Sequence, residues 1–118
     1  MGASRVLANV NSPKFKPIQT IQMKAYVIVE ITITDPLLYE EYKKLTPASL
    51  VPFEGQFLVR GGSTETLEGE WSPERIVVLE FPSIEKARAW WNSEAYGAAK
   101  SIRQRAAYTK MLLVQGAS

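Results

Sequence analysis

Three charged side chains, Arg60, Glu80 and Glu30, lie in segments whose composition and alternation predict β-strands. Each shares its alternation phase with apolar residues, which places all three on one partly apolar face of a sheet. A charge on such a face is costly unless it is paired or serves a ligand. Two interpretations follow: an Arg60–Glu80 pair that holds neighbouring strands together, or a functional pocket.

In the second interpretation, Arg60 binds an acidic ligand, and a desolvated Glu80 or Glu30 moves a proton. Tyr26, on the same face of the first predicted strand, adds a hydroxyl that can donate a hydrogen bond. Glu80, Glu30 and Tyr26 are therefore our candidates for catalysis. Arg60 is the first candidate for ligand binding.

Four aromatic residues could line a ligand site: Trp71, Trp90, Trp91 and Tyr96. At helical spacing, aromatic side chains more often belong to a core than to a ligand site. Trp71 falls in a polar connection, where core packing explains it less readily, and it could act as a lid or cross a dimer interface. We take Trp71, Trp90 and Tyr96 as ligand-binding candidates, together with Arg103.

The connection after the second strand holds Glu65, Glu68 and Glu70 without the spacing of a calcium loop, so no metal site is predicted. Gly61-Gly62 precedes a loop and not a helix, which argues against a phosphate-binding fingerprint. The pair instead predicts a positive φ angle or a bulge.

The chain has 118 residues and contains neither histidine nor cysteine. An ordinary zinc site, a His- or Cys-ligated haem, and Ser–His or Cys–His nucleophilic catalysis are therefore excluded. Any general acid or base must be Glu, Asp, Tyr or Lys, and no cofactor is predicted.

The net charge of +2 is unevenly distributed. Residues 1–22 carry three basic and no acidic side chains, whereas the remainder carries 11 basic and 12 acidic ones. A near-neutral body is a poor match to nucleic-acid binding, so we expect no such partner. No apolar run approaches the roughly 18 residues of a membrane span, so we expect no membrane partner. The absence of cysteine is compatible with a reducing compartment, and we expect a cytoplasmic protein.

The periodicity predicts four strands, over residues 24–34, 56–60, 75–81 and 108–114. Helices are predicted to begin at the N-caps Asp35, Ser83 and Ser93. Thr46-Pro47 predicts a further cap and one more helical turn. The stripes predicted to be buried are Leu38, Tyr42 and Leu45; Ile84, Ala87 and Trp91; and Ala95, Ala99, Ile102 and Ala106. The last helix leaves Lys100, Arg103 and Arg105 outside.

The order β-α-β-β-α-β predicts an α+β, ferredoxin-like domain with a four-stranded antiparallel sheet and helices on one face. The other face carries Ile28, Leu58, Ile76 and Val78, more apolar surface than a monomer usually exposes. We therefore expect a homodimer that pairs sheet to sheet. Residues 23–116 form the single predicted domain, and residues 1–22 an N-terminal extension outside the core fold.

Several segments, 57–62, 67–75, 79–83 and 90–96, resemble the bacterial family known as domain of unknown function 1330. The resemblance spans nearly all of the chain after residue 22. It implies a dimeric α/β barrel, whose relatives include cofactor-free oxygenases and isomerases, small-molecule binders and haem enzymes. The family has no assigned reaction, so the resemblance implies no catalytic role.

Two functions remain open. The first is a small-organic-molecule pocket between the sheet and the loops, for binding alone or for cofactor-independent proton transfer or oxygenation. The second is a non-catalytic structural or interaction dimer without a substrate. A cavity of roughly 300 Å³ with convergent polar groups would favour the first, and charges that saturate one another would favour the second.

Overall fold

The computed structural model describes residues 23–117, and its elements follow the predicted order. The strands are β1 (Ala25–Ile33), β2 (Gln56–Arg60), β3 (Arg75–Phe81) and β4 (Ala107–Gln115). The helices are α1 (Pro36–Leu50), α2 (Ile84–Trp91) and α3 (Glu94–Ala106), with a 3-10 turn at Val51–Phe53. The predicted extension at 1–22 lies outside the described residues. No helix within 23–117 has the length and apolar character to traverse a bilayer.

All four strands form one antiparallel sheet in the order β2-β3-β1-β4, which confirms the predicted α+β, βαββαβ architecture. The two central strands, β1 and β3, pair from Ala25 opposite Phe81 to Ile31 opposite Arg75. The chain crosses between the outer and the central strands through the helices, so all the helices cover one face.

Each helix begins at the cap residue that the sequence indicates. The side chains of Asp35, Ser83 and Ser93 accept hydrogen bonds from the backbone N–H three residues further on, at 3.1, 3.2 and 3.1 Å. These bonds satisfy N–H groups that have no partner inside the helix.

The core lies between the helices and the inner face of the sheet. Every second residue of β1 and β3 is buried there: Ala25, Val27, Val29, Ile31, Val77, Leu79 and Phe81. The alternation predicted for these two strands is confirmed. Trp90 lies against them from α2, with its ring centroid 5.5 Å from that of Phe81.

The buried face of α1 is rotated from the predicted one. Leu45, predicted to be buried, is 44% exposed, and Tyr39 is buried in its place. Thr46 and Ser49 are also buried, and each donates its hydroxyl to a carbonyl within the helix, Tyr42 O at 2.9 Å and Thr46 O at 2.7 Å. Because these hydroxyls are satisfied locally, the packed face need not be the most apolar one.

Three further details of the helices differ from the prediction. α1 continues through Pro47 without a break, so the second cap is absent. In α2 the buried tryptophan is Trp90, and Trp91 is 40% exposed. In α3 Ala95 is exposed, whereas Arg103 is only 5% exposed. Alanine and the long stem of arginine constrain the helix face weakly, because either can occupy a packed or an outward position.

A β-bulge in β2 reverses the side on which Arg60 lies. Between Phe57 and Val59 the register with β3 shifts by one residue. Arg60 consequently pairs with Val77, whose side chain is buried on the helix-covered face. The prediction that Arg60 shares a face with Glu80 is therefore wrong, because strict alternation holds only in the absence of an extra residue.

The uncovered face of the sheet carries an apolar row that crosses all four strands. Val59 pairs with Val78, Val78 with Ile28, and Ile28 with Leu112. Leu112 is 62% exposed, and Ile28 and Val59 are also exposed. Contiguous apolar surface of this kind is typical of an interaction face.

Candidate functional site

On the uncovered face, the carboxylate of Glu80 is contacted by three side chains that donate hydrogen bonds or carry positive charge. Tyr26 donates its hydroxyl to Oε2 at 3.1 Å, and the Gln56 amide donates to Oε1 at 3.3 Å. The Lys24 ammonium lies 3.5 Å from the same Oε1. The predicted Arg60–Glu80 pair does not form, since the two residues lie on opposite faces, and Lys24 compensates the charge of Glu80.

Glu30 is engaged by the loop between β2 and β3. The indole Nε1 of Trp71 donates to Glu30 Oε1 at 3.2 Å, and the Thr66 hydroxyl donates to the Trp71 carbonyl. These bonds fold the loop back toward the uncovered face, where an open hollow of about 490 Å³ separates it from Ile76. Trp71 thus ties the loop to β1.

A second group of predicted residues lies on the helix-covered face, in a cleft between α1 and the sheet. Its enclosed part has a volume of about 20 Å³, which is room for a single water molecule. Apolar and aromatic side chains form most of its wall, among them Tyr39, Tyr42, Phe57, Trp90 and Met111.

The cleft opens outward into a surface pocket of about 370 Å³. The enclosed part and the surface pocket share three lining residues, Lys43, Arg60 and Arg75. The surface pocket is lined by Lys43, Lys44, Arg60 and Arg75 together with the carboxylate of Glu40, so the aromatic interior lies behind a mostly cationic mouth.

The Arg60 guanidinium lies across this mouth. Its Nη2 donates to the Lys43 carbonyl of α1 at 2.8 Å, and its Cζ lies 4.2 Å from the centroid of the Phe57 ring. The bulge in β2 makes both contacts feasible, because it turns Arg60 toward α1.

Arg75 is the first residue of β3, and its side chain lies on the same helix-covered face of the sheet as that of Arg60. Its Nε donates to the Tyr39 hydroxyl at 3.2 Å. The guanidinium lies over Gly61, where a Cβ atom would overlap it, and Gly61 has a φ angle of +75°. The positive φ predicted for the Gly61-Gly62 pair is confirmed at Gly61, and the same residue leaves space for Arg75.

The charges at the mouth are unequally compensated. Lys43 forms an ion pair with Glu40 at 2.9 Å and Lys44 with Glu41 at 3.5 Å. Among the described residues, no carboxylate forms a salt bridge with Arg60 or Arg75. Both guanidinium groups are held by neutral acceptors and retain their positive charge for an anion.

Buried hydroxyls form the inner end of the cleft. The hydroxyl groups of Tyr42 and Tyr96 form a hydrogen bond of 2.8 Å with each other, and Arg103 Nε donates to the Tyr96 hydroxyl at 3.2 Å. Burial, together with the neighbouring Tyr96, raises the pKa of Tyr42 above its ordinary value. Burial also raises the pKa of Tyr39, against the opposing effect of Arg75. Both phenols are thus donors at neutral pH.

Trp90 closes the inner wall. Its Nε1 donates to Ser49 Oγ at 3.0 Å, and its ring lies 4.0 Å, centroid to centroid, from that of Tyr96. The indole is fully buried, so it presents only a flat apolar surface to the cleft. Within residues 23–117, no group of three or more acidic side chains is placed to hold a metal ion.

The structure divides the predicted site residues between the two faces of the sheet. Arg60 and Trp90 line the cleft, while Tyr96 and Arg103 stand behind Tyr42. On the uncovered face lie Tyr26, Glu30, Trp71 and Glu80.

Sequence reasoning missed three residues of the cleft, Tyr39, Tyr42 and Arg75. Tyr39 and Tyr42 are three residues apart, so a helix places both on one side. Arg75 shares the alternation phase of Val77 and Leu79. A charged residue in phase with the core strand was the signal that could have indicated this site.

Solved structures with similar folds come from several bacteria. A protein of unknown function from Rhodopseudomonas palustris has 14% sequence identity and a TM-score of 0.67, over 82% of this chain and 85% of that chain. SnoaB, a cofactor-independent oxygenase from Streptomyces nogalater, has 13% identity and a TM-score of 0.56, over 81% and 95%. A conserved protein of unknown function from Bacteroides thetaiotaomicron has 16% identity and a TM-score of 0.53, over 80% and 98%.

These likenesses establish the fold alone, a four-stranded antiparallel sheet with helices on one face. No curated protein is significantly similar in sequence. Residues 24–117 match the family described as Domain of unknown function (DUF1330), in agreement with the resemblance of the sequence segments. The match covers the whole βαββαβ unit, and the chain belongs to the DUF1330 family.

Proposed function

We propose that the cleft between α1 and the sheet binds a small organic anion. Arg60 and Arg75 hold its carboxylate or enolate group, and the body of the molecule lies in the surface pocket outside them, with one edge toward the aromatic interior. The observation that carries this proposal is the pair of guanidinium groups at the mouth, both with neutral partners only. Two uncompensated cations beside an aromatic cavity match an aromatic or enolisable acid.

The volumes support a ligand that sits mainly at the mouth. The surface pocket, at about 370 Å³, is of the size that small-molecule sites have, whereas the enclosed part, at about 20 Å³, is not. An acid bound at Arg60 and Arg75 would place only one edge or one oxygen atom toward Tyr42.

The chemistry that these groups support is stabilisation of an oxyanion. A buried phenol that stays protonated donates a hydrogen bond to a developing enolate or phenolate oxygen, and the two guanidinium groups add positive charge. Proton transfer proceeds through such an anion, and so does oxygenation with molecular oxygen as the second substrate. SnoaB, which shares the fold, is a cofactor-independent oxygenase, and this supports the same class of reaction here.

We also infer that a second copy of the chain covers the uncovered face of the sheet. The apolar row from Val59 to Leu112 is continuous across four strands, and the helices lie entirely on the opposite side. The resemblance to the dimeric α/β-barrel proteins also supports the homodimer.

The alternative function, a structural or interaction dimer without a substrate, is favoured by one specific observation. Glu80 is saturated by Lys24, Tyr26 and Gln56, and Glu30 by Trp71. Charges that saturate one another serve structure. This observation concerns the uncovered face and leaves the cleft untouched.

A thermal-shift screen against benzoate, 4-hydroxybenzoate, quinols and lactones tests the proposal. We expect the aromatic acids to raise the melting temperature by roughly ten degrees at about a hundred times their dissociation constant. Arg60→Ala and Arg75→Ala should each weaken binding by roughly tenfold to a hundredfold, because each removes a charge-assisted hydrogen bond.

The matched control is Arg105→Ala, since Arg105 is exposed on α3, away from the cleft. This variant should bind the acids as the wild type does. A shift that survives both Arg60→Ala and Arg75→Ala would remove the cleft from consideration. Failure of every acid would favour the interaction dimer.

A further inference from the structure

Pro47 lies inside α1, a position where proline removes a hydrogen bond. The helix runs without a break from Pro36 to Leu50, and the N–H of residue 47 would ordinarily donate to the carbonyl of Lys43. Proline has no N–H, and its ring pushes against the carbonyl four residues back. The Lys43 carbonyl is thus left without a helical donor.

Arg60 supplies the missing donor from another element. Its Nη2 donates to the Lys43 carbonyl at 2.8 Å, although Arg60 and Lys43 are 17 residues apart in sequence. The acceptor is neutral, so the bond fixes the guanidinium without compensating its charge. The aromatic ring of Phe57 lies under the same group at 4.2 Å.

We infer that Pro47 is a positioning residue for the anion site, because it frees the carbonyl that fixes Arg60 at the mouth of the cleft. This inference rests on the proposed function. Pro47 itself touches no ligand and acts through the Lys43 carbonyl. An alanine at position 47 would donate its own N–H to that carbonyl and leave Arg60 with a weaker partner.

A double-mutant cycle tests the structural half of the inference without any ligand. Urea unfolding is measured for the wild type, Pro47→Ala, Arg60→Met and the double variant. Methionine keeps an apolar stem over Phe57 but has no donor. The Arg60→Met change should alter the unfolding equilibrium constant roughly two- to tenfold more in the wild-type background than in the Pro47→Ala background.

The matched control replaces Arg75, which also lies at the mouth but donates to the side-chain hydroxyl of Tyr39 and not to a backbone carbonyl of α1. Arg75→Met and Pro47→Ala should be additive. Additive behaviour of Arg60→Met and Pro47→Ala would overturn the inference.

The functional half is tested with 4-hydroxybenzoate by calorimetric titration of the full chain. Pro47→Ala should weaken binding about two- to tenfold, because the ligand must then immobilise a freer arginine side chain. The Arg60→Met variant should lose affinity whichever residue occupies position 47. Equal affinity of the wild type and Pro47→Ala would overturn the positioning role. Absence of binding to the wild type would instead refute the proposed function, and the unfolding cycle would then decide whether Pro47 fixes Arg60.

Discussion

Arg60 and Arg75 keep their places through acceptors that carry no formal charge, a backbone carbonyl and a tyrosine hydroxyl. Glu80 is the opposite case, because Lys24 compensates it directly. A charge with an ionic partner has little left to offer a ligand, whereas a charge held by a dipole keeps most of its field. The two arginines are therefore the residues on which the proposed function depends.

The raised pKa of Tyr42 predicts how the stability of the folded chain depends on pH. Burial raises its pKa in the folded chain, while the unfolded chain ionises at the ordinary value near 10. Its contribution to stability is therefore complete below about pH 10 and is lost as the pH rises toward the folded-state pKa. We expect stability to fall above about pH 10, by up to about 1.4 kcal/mol per pH unit for this group.

Urea unfolding of Tyr42→Phe against the wild type measures this fall, because phenylalanine does not titrate. The variant should lose stability less steeply above about pH 10. Parallel profiles for the wild type and Tyr42→Phe would show that Tyr42 does not hold its proton in the folded chain.

At the scale of the elements, the end of β2 builds the mouth of the cleft. The bulge between Phe57 and Val59 turns Arg60 toward α1, and Gly61, one residue later, leaves the strand with a positive φ and makes room for Arg75. The backbone also stays tied to β3, since the Gly61 N–H donates to the Ile76 carbonyl at 2.9 Å. The two arginines therefore depend on one short stretch of backbone.

Gly61→Ala tests this dependence. The left-handed conformation should cost about 1–2 kcal/mol with a side chain present, and the new Cβ should displace the Arg75 guanidinium. We expect lower stability by urea unfolding and weaker binding of 4-hydroxybenzoate. Gly62→Ala is the control, because a Cβ there meets no atom within 4 Å, and it should behave as the wild type. Equal behaviour of the two variants would mean that Gly61 is not needed for the site.

A helix or strand can be predicted from the sequence when the interactions that determine its ends and shape lie within a few residues of one another. The caps at Asp35, Ser83 and Ser93 follow from residues three apart, and all three are correct. The bulge in β2 depends on how that strand meets β3, and no residue within it signals an extra position. Thr46-Pro47 wrongly predicts a second cap for a related reason, because the hydrogen bond that the Lys43 carbonyl accepts comes from Arg60 in β2, and nothing near Pro47 in the sequence indicates it.

At the scale of the whole molecule, the two faces of the sheet carry different groups. The helix-covered face holds the cleft with its cations and phenols, and the uncovered face holds an apolar row with self-saturated polar groups. Burying that row against a second copy removes apolar surface from water. The dimer and the cleft can therefore be tested by separate substitutions.

Leu112→Asp tests the dimer. Leu112 lies in the apolar row opposite Ile28, so a carboxylate there would be buried without a partner in a sheet-to-sheet pair. Light scattering should give about twice the 13.2 kDa chain mass for the wild type and the monomer mass for the variant. Leu37→Asp is the control, since Leu37 is 82% exposed on α1, and should stay dimeric. A wild-type monomer would contradict the sheet-to-sheet dimer.

The site was harder to predict than the fold because it depends on contacts between distant elements. Arg60, Trp90, Tyr96 and Arg103 were identified by residue type, but the face of the sheet that they serve was not. The alternation assigned Arg60 to the uncovered face with Glu80, and only the shifted register moves it to α1. Tyr42, which bonds to Tyr96, carries no sequence signal beyond its helical spacing.

The position of the bound acid is the most direct test, and the three tryptophans report on three separate places. Trp90 lines the cleft, Trp71 bonds to Glu30 on the uncovered face, and Trp91 is exposed on α2. Their indole N–H signals can be followed in ¹H–¹⁵N spectra of the labelled full chain during titration with 4-hydroxybenzoate. We predict that the Trp90 signal shifts in proportion to binding while those of Trp71 and Trp91 stay in place. A titration that moves Trp71 and leaves Trp90 unchanged would contradict the account and assign the ligand to the uncovered face.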